Sequence, residues 1–283
     1  RESGILMHIT SLPAPYGIGT MGKDAYAFVD FLVRAGQRYW QILPLTPTGY
    51  GDSPYQSLGA CAGNHYLIDL DRLADEGLLK KEEIQNIPWG SNPARVDFGA
   101  MYAHRMNVLR QAFQRFTPDG AYETFVEQNR SWLEDYALFT ALKDTLGGKP
   151  WLDWPEALRL RKADALAEKR RELSDEIRLQ YFVQYEFDRQ WKALRSYANA
   201  KGVRIIGDVP IYVPLDSADV WANPELFQLD ESRHPEQVAG CPPDSFTADG
   251  QLWGNPLYDY EAMQKDGFEW WIRRIGGAAK LYE

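Results

Sequence analysis

Two short apolar runs separated by a helical pattern dominate the N-terminal part of the chain. Residues 5–9 (ILMHI) and 39–45 are typical of strands, and the first predicts a strand buried on both faces. Between them, apolar residues recur at helical spacing and stop at Gly36, where a C-cap glycine belongs. These apolar positions are Ala25, Phe28, Val29, Leu32 and Ala35. Strand, helix and strand in this order predict a βαβ unit and a parallel sheet.

The middle of the chain has the pattern of long helices. Residues 102–146 keep helical periodicity until a glycine pair, and residues 164–200 predict one long charged helix. Tryptophans and a proline in residues 151–160 indicate an irregular connector between the two. We therefore expect about residues 100–165 to form a helical subdomain inserted into an α/β fold.

A third strand candidate, residues 203–213 (VRIIGDVPIYV), has Asp208 at its midpoint. Because Pro210 argues against a regular central strand, we predict that the strand ends near Asp208. Its carboxylate would then lie at the carboxyl end of a parallel strand, where barrel and doubly wound enzymes have their active sites. The alternative is an aspartate that caps a helix or a turn, and the local sequence favours neither.

Helical periodicity returns at the C-terminal end of the sequence. Because Gly276 and Gly277 are poor helix formers, the sequence does not specify the residue at which this helix ends. The predicted buried stripe consists of Phe268, Trp271, Ile272, Ile275 and Ala279. Three strands with two crossovers leave a sheet edge unpaired. We expect residues 1–283 to be the N-terminal part of a larger β/α structure.

Charge and composition exclude several classes of protein. The chain has 283 residues, with 31 Lys and Arg against 40 Asp and Glu, so its formal charge of -9 disfavours nucleic acid as a partner. Cys61 and Cys241 are too few for a disulfide framework and belong to no metal-type cluster. Apolar runs stay well below the roughly 18 residues of a membrane span. We expect a cytoplasmic protein without metal, and without a nucleotide cofactor because no phosphate-binding glycine loop occurs.

Residues 242–260 (PPDSFTADGQLWGNPLYDY) combine turn formers with Asp244, Gln251, Trp253 and Asn255, and have neither helical nor strand periodicity. An indole face packs on the C–H surface of a pyranose, while carboxylate and amide groups bind its hydroxyls. The chain is rich in aromatic residues, including 10 Trp and 16 Tyr, which also suits a carbohydrate ligand. A surface loop that happens to carry Trp253 is the alternative.

Residues 51–57 (GDSPYQS) follow the second strand and have the composition of a tight turn that presents the hydroxyls of Ser53 and Tyr55. Because the carboxyl ends of parallel strands share one edge of a sheet, this turn, Asp208 and residues 242–260 could line one cleft. A purely structural turn is the alternative.

Seven segments of this sequence resemble 4-alpha-glucanotransferases, the amylomaltases or disproportionating enzymes of glycoside hydrolase family 77. The segments run in the order of that family along the whole chain. They are PYGIGT (15–20), GDSPYQS (51–57), AGNHYLIDL (62–70), GDVPIYV (207–213), VWANPELF (220–227), PPDSFTADGQLWGNPLY (242–258) and FEWWIRRI (268–275).

The resemblance implies a TIM (β/α)8 barrel with helical insertions, of which this chain would cover about three strands. It also implies donor and acceptor α-1,4-glucans, such as maltooligosaccharides and starch or glycogen fragments. The implied reaction is segment transfer by a retaining double displacement, with an Asp nucleophile and a Glu acid/base about 5 Å apart. Transfer rather than hydrolysis requires that a sugar hydroxyl reaches the intermediate before water does.

The resemblance assigns roles to the candidate residues one by one. Asp208 matches a carboxylate that supports the strand of the nucleophile, and Ser53 and Tyr55 match residues of the donor side. The loop that closes over bound glucan is matched by Asp244, Gln251, Trp253 and Asn255. The nucleophile, the acid/base Glu and a third Asp are expected beyond Glu283, so these 283 residues alone are expected to be inactive.

Two other functions remain open at this point. A related α-glucan hydrolase would use the same carboxylates with water as the acceptor. A glucan-binding fragment without catalysis would need only the aromatic and polar groups of the predicted cleft.

Overall fold

The computed structural model describes residues 2–49, 51–92 and 94–283. Its strands are β1 (Gly4–Leu6), β2 (Tyr39–Gln41), β3 (Arg204–Ile206), β4 (Val238–Cys241) and β5 (Gln251–Pro256). Its helices are α1 (Lys23–Arg34), α2 (Leu70–Asp75), α3 (Lys81–Gln85), α4 (Phe98–Arg115), α5 (Gly120–Thr145), α6 (Glu156–Arg159), α7 (Ala163–Glu172), α8 (Ser174–Ala200), α9 (Ala218–Ala222), α10 (Tyr260–Lys265) and α11 (Glu269–Leu281).

A parallel three-stranded sheet in the order β1, β2, β3 confirms the predicted βαβ unit. Helix α1 connects the first two strands and buries Ala25, Val29 and Leu32 of the predicted stripe in the core, whereas Phe28 is half-buried and Ala35 is exposed. Gly36 has a φ of 69°, the left-handed conformation that ends a helix at low cost in glycine. The sheet, α1, α4 and α8 share one hydrophobic core.

The first strand differs from its prediction in length and burial. It ends at Leu6, whose side chain is exposed, and Ile9 begins a short 3-10 helix. Only one face of this part of the sheet packs against the core, because the buried residues of β2 and β3, Trp40 and Ile205, point to the same side as α1 and α8. The all-apolar run therefore predicted the presence of a strand correctly but not the burial of its two faces.

Both long helical patterns are interrupted. The first divides into α4 and α5, because Pro118 disfavours helical backbone before it and Asp119 then caps α5 by accepting the Tyr122 N–H at 2.8 Å. The second divides into α7 and α8 at Leu173, whose buried side chain keeps the apolar periodicity continuous across the break. Periodicity alone could not detect that break.

Residues 242–260 were predicted to lack strand structure, and this prediction is wrong. Strands β4 and β5 pair in an antiparallel hairpin, with Cys241 opposite Gln251 and Gly240 opposite Leu252. Most of β5 is exposed on both faces, so its sequence lacks the alternation that marks a half-buried strand. We call residues 238–256 the β4–β5 hairpin.

Helix α11 exists as predicted and continues through the glycine pair to Leu281, but its buried face is different. Ile272 and Ile275 are exposed, whereas Trp270 and Arg274 are buried. A second hydrophobic core, formed with α5, α9 and α10, takes up Trp270 and Tyr258. None of the helices in the described residues is both long and apolar enough to cross a membrane.

Candidate functional site

A cavity of about 360 Å³ opens at the carboxyl end of β2 and β3. Its walls come from the turn after β2, from α5 and α8, from the segment after β3 and from α11. We call this cavity the cleft, and residues 51–63 the wall loop. The position agrees with the expectation that polar residues following parallel strands converge on one edge.

Asp208 lies two residues beyond the end of β3, which confirms the predicted strand end. Its Oδ2 accepts a hydrogen bond of 2.6 Å from the hydroxyl of Tyr55, although the two residues are 153 positions apart in sequence. Both side chains line the cleft. This hydrogen bond, then burial, raises the pKa of Tyr55 to about 12, so the phenol stays protonated at neutral pH.

The wall loop begins with a tight turn in which Gly51 and Asp52 both have positive φ values, 87° and 56°. Its backbone is closed by the Gly49 N–H, which donates to the Gln56 carbonyl at 2.8 Å. The hydroxyl of Ser53 accepts the Tyr55 N–H at 3.3 Å and is not among the groups lining the cleft. Ser53 therefore orients Tyr55, while Tyr55 itself faces the cavity.

The β4–β5 hairpin stands beside the cleft. Trp253 is 41% exposed, donates through Nε1 to Gln251 Oε1 at 2.9 Å, and lies 6.2 Å from the ring of Tyr212. Tyr212 lines the cleft. The indole and Gln251 are thus placed at the rim rather than inside the cavity.

Two predicted residues of the hairpin have their polar groups directed elsewhere. Asp244 lies in the hairpin loop, where its Oδ1 accepts the N–H groups of Phe246 and Thr247, each at 2.8 Å. These bonds, the one from Thr247 first, lower the pKa of Asp244. Asn255 is buried at the base of the hairpin. Neither side chain is among those that line the cleft.

Several cleft residues had no chemical role in the sequence-based prediction. Tyr212 and the helix residues Gln184, Arg273 and Lys280 all line the cavity. Tyr212 follows Asp208 in a motif of the predicted family, so that motif was a usable signal. The polar groups on α8 and α11 carried no such signal, because their positions depend on how the helices pack.

Metal and thiol chemistry receive no support within the described residues. No group of three or more His, Cys, Asp or Glu side chains could hold a metal ion in the described ranges. Cys61 and Cys241 are free cysteines, and burial raises the pKa of the Cys61 thiol to about 12. The cleft contains hydroxyl, carboxylate, amide and aromatic groups. This is an α/β protein, and these groups at the open edge of its sheet suit a polar organic ligand.

Comparison with known proteins identifies the family. The model of glycoside hydrolase family 77, described as 4-alpha-glucanotransferase, matches residues 7–283. The chain therefore belongs to this family, and the resemblance seen in its sequence motifs is confirmed.

Similar proteins agree with this assignment. The chain is 51% identical to a 4-alpha-glucanotransferase of Thermus thermophilus and 50% identical to one of Streptococcus pneumoniae serotype 4, over 100% of this chain and 57% of each relative. The amylomaltase of Streptococcus agalactiae, solved in complex with acarbose, is 48% identical with a TM-score of 0.96, over 100% of this chain and 58% of that one. Amylomaltase from Corynebacterium glutamicum shares the fold at 18% identity, with a TM-score of 0.77 over 99% of this chain and 40% of that one. The chain thus spans 57–58% of the length of the three more similar proteins and 40% of the length of the Corynebacterium glutamicum protein.

Proposed function

We propose that this chain is part of an enzyme that transfers α-1,4-glucan segments between maltooligosaccharides or starch-type glucans, and that the cleft binds the glucan. The observation that carries the proposal is the Tyr55–Asp208 pair, which faces the cleft at the carboxyl end of the sheet. Family membership supports the reaction. The acarbose complex of the Streptococcus agalactiae relative supports an α-glucan oligosaccharide as the ligand.

The fold of the complete enzyme is proposed to be a (β/α)8 barrel. The parallel order β1, β2, β3 with helices between the strands suits the first part of such a barrel. The Glu283 N–H donates to the Ile205 carbonyl at 3.0 Å, so the backbone after α11 runs beside β3. About residues 100–165 would be a helical insertion. The cytoplasmic location expected from the sequence stays a prediction.

The groups around the cleft suit distinct parts of a sugar. Asp208 would accept a glucose hydroxyl, and Tyr55 would donate to one when it exchanges its bond to Asp208 for the ligand. Trp253 with Tyr212 would form an apolar platform for a pyranose ring at the rim. Ser53, Asp244, Gln251 and Asn255 would act indirectly, by shaping the turn and hairpin that carry these contacts.

A retaining transfer needs two carboxyl groups about 5 Å apart, one as nucleophile and one as acid and base. Two carboxylates from the described residues line the cleft, Asp208 and Asp188, and Asp188 is paired with Lys192 at 2.6 Å. Since Asp188 is engaged by Lys192, Asp208 has no second free carboxyl group beside it in the described part of the cleft. We therefore assign Asp208 a supporting role and not that of nucleophile. Exclusion of water by the aromatic rim would favour a sugar hydroxyl as acceptor.

Maltotriose distinguishes the reactions. The full-length protein should convert it to glucose and a ladder of longer oligosaccharides, which chromatography separates. Rising reducing ends without longer products would instead indicate an α-glucan hydrolase, and binding without turnover would indicate a glucan-binding protein.

A variant pair tests the assignment of Asp208. Asp208→Asn should lower turnover more than it weakens glucan binding, because the amide keeps the size of the carboxylate but not its charge. Asp75→Asn, at an exposed carboxylate that does not line the cleft, is the matched control and should leave both unchanged. Loss of stability without a specific loss of turnover in Asp208→Asn would favour the alternative of a turn aspartate.

A further inference from the structure

Arg274 of α11 is a buried cation that borders the cleft and has no assigned role in the proposed reaction. Its side chain is only 4% exposed. The guanidinium lies over the indoles of Trp270 and Trp271, 5.1 and 5.2 Å from the ring centroids. Burial of a charge is costly unless hydrogen bonds and other interactions compensate it, so the contacts of this group indicate what it stabilises.

The hydrogen bonds of Arg274 lead to the segment that follows Asp208. Its Nη2 donates to the carbonyl of Pro210, and its Nη1 donates to the hydroxyl of Tyr258 at 2.9 Å. That hydroxyl in turn donates to the carbonyl of Ile211 at 3.0 Å. Two consecutive carbonyl groups close to Asp208 are therefore fixed from α11, directly or through one tyrosine.

Asp219 of α9 makes a contact of the same kind with the wall loop. Its Oδ2 accepts the N–H of Ala60, in the wall loop, at 2.7 Å. Its Oδ1 accepts the indole N–H of Trp270 at 3.2 Å, and Trp270 is one of the two rings beneath Arg274. Burial raises the pKa of Asp219, while the Ala60 hydrogen bond and then the charge of Arg274 oppose this rise.

We propose that Arg274 and Asp219 are positioning residues, which fix the segment of Asp208 and the wall loop relative to each other and so maintain the Tyr55–Asp208 contact. Tyr55 and Asp208 lie on irregular backbone outside the sheet, where side-chain hydrogen bonds must replace strand pairing. The consequence for catalysis rests on the proposed function, whereas the positioning itself does not.

The test uses the full-length protein labelled with ¹³C at the tyrosine ring Cζ, with the Tyr55 signal assigned by Tyr55→Phe. At pH 11 a phenol with a pKa of about 12 is about one tenth ionised, and one with the ordinary pKa of about 10 is about nine tenths ionised. Wild-type Tyr55 should therefore be mostly neutral. Arg274→Met should make it mostly ionised, and Arg274→Lys should give an intermediate value, since lysine keeps the charge but not the two-pronged donor.

Activity gives the second readout. Misplacement of a reacting group by about 1 Å can cost about 100-fold in rate, so kcat/KM for maltotriose should fall by up to about that factor in Arg274→Met. Arg274→Lys should recover part of it. If Tyr55 responds as expected but the wild-type protein transfers no glucan, the positioning holds and the proposed function fails.

A matched control separates positioning from general loss of stability. Arg105 is also a fully buried arginine, and it donates to the carbonyls of Tyr66 and Ile68 outside the cleft. Arg105→Met should lower the melting temperature as Arg274→Met does, but leave Tyr55 neutral at pH 11. If Arg274→Met does not fold, Arg274→Lys and Asp219→Asn carry the test. A Tyr55 signal unchanged from wild type in these variants would overturn the proposal.

Discussion

Replacement of Gln184 by methionine tests how the wall loop is attached to α8. The Gln184 side chain is 2% exposed and forms two hydrogen bonds with the backbone of Gly63. Its Oε1 accepts the Gly63 N–H at 2.7 Å, and its Nε2 donates to the Gly63 carbonyl at 3.0 Å. Gly63 lines the cleft, so these bonds connect a buried helix to the wall of the candidate site.

The size of the effect follows from the groups left without partners. Methionine has nearly the length and volume of glutamine but can neither donate to nor accept from Gly63. Each buried backbone group without a partner costs about 1–3 kcal/mol, partly offset because the buried amide of Gln184 is removed as well. We expect a loss of about 3 kcal/mol in the free energy of unfolding. With an unfolding entropy of about 2.1 cal/mol/K per residue, this corresponds to roughly 5 °C in melting temperature for 283 residues.

Chemical denaturation followed by tryptophan fluorescence measures this loss, and Gln190 provides the control. Gln190, on the same helix, makes the same pair of bonds with Asp69, at 2.7 and 3.3 Å, outside the cleft. Gln190→Met should lose a similar free energy but leave the KM for glucan unchanged, whereas Gln184→Met should raise it. A loss below about 1 kcal/mol in Gln184→Met would refute the reasoning, because Gly63 would then have found other partners.

Three further predictions concern single side chains. Trp253→Ala should greatly weaken glucan use but change the free energy of unfolding by less than about 1 kcal/mol. Its neighbour Leu252 is 82% exposed, and Leu252→Ala should change neither quantity. A large drop in melting temperature for Trp253→Ala would mean that the role of Trp253 is structural. Burial, then the charge of Arg105, lowers the pKa of His65 to about 3. The folded protein therefore keeps this imidazole neutral, whereas the unfolded chain protonates it below pH 6.5. The contribution of His65 to the free energy of unfolding is thus complete above pH 6.5 and decreases as the pH falls towards 3. Wild type should therefore lose up to about 2 kcal/mol more than His65→Gln between pH 7 and 5, and equal losses would contradict this. Gly207→Ala would place a Cβ 2.1 Å from the Tyr282 ring and should lower the free energy of unfolding by about 1–3 kcal/mol. In a Tyr282→Ala background the same substitution should lower it by less. Equal losses in the two backgrounds would rule out the clash.

The sequence predicted the sheet and the end of β3 because these features depend on local chemistry. Apolar runs and the proline that follows Asp208 specify where a parallel strand can begin and end. The strand order also predicted that Tyr55 and Asp208 lie at one edge of the sheet and could line one cleft. Their direct hydrogen bond could not be predicted, since it joins two loops whose approach depends on the packing of distant helices.

The errors have an equally physical origin. In α11 the apolar stripe suggested that Ile272 and Ile275 are buried, but the buried face contains Arg274 between two indoles. Hydrophobic periodicity cannot identify a buried cation, because its burial depends on carbonyl acceptors that come from other segments. The β4–β5 hairpin was missed for a related reason. Its pairing uses backbone groups, while Leu252 and Trp253 remain exposed and give no alternation.

The sheet itself can orient the candidate site only in part. Each of its three strands is three residues long, so strand pairing stops before the backbone reaches Tyr55 or Asp208. Beyond those ends, the wall loop and the segment after β3 are fixed by buried polar side chains from helices, chiefly Gln184 and Arg274. Buried polar contacts of this kind are strongly directional, since a partner that shifts leaves a costly unpaired group. Substitution of Gln184 or Arg274 should therefore change glucan use by shifting the backbone that carries the cleft residues.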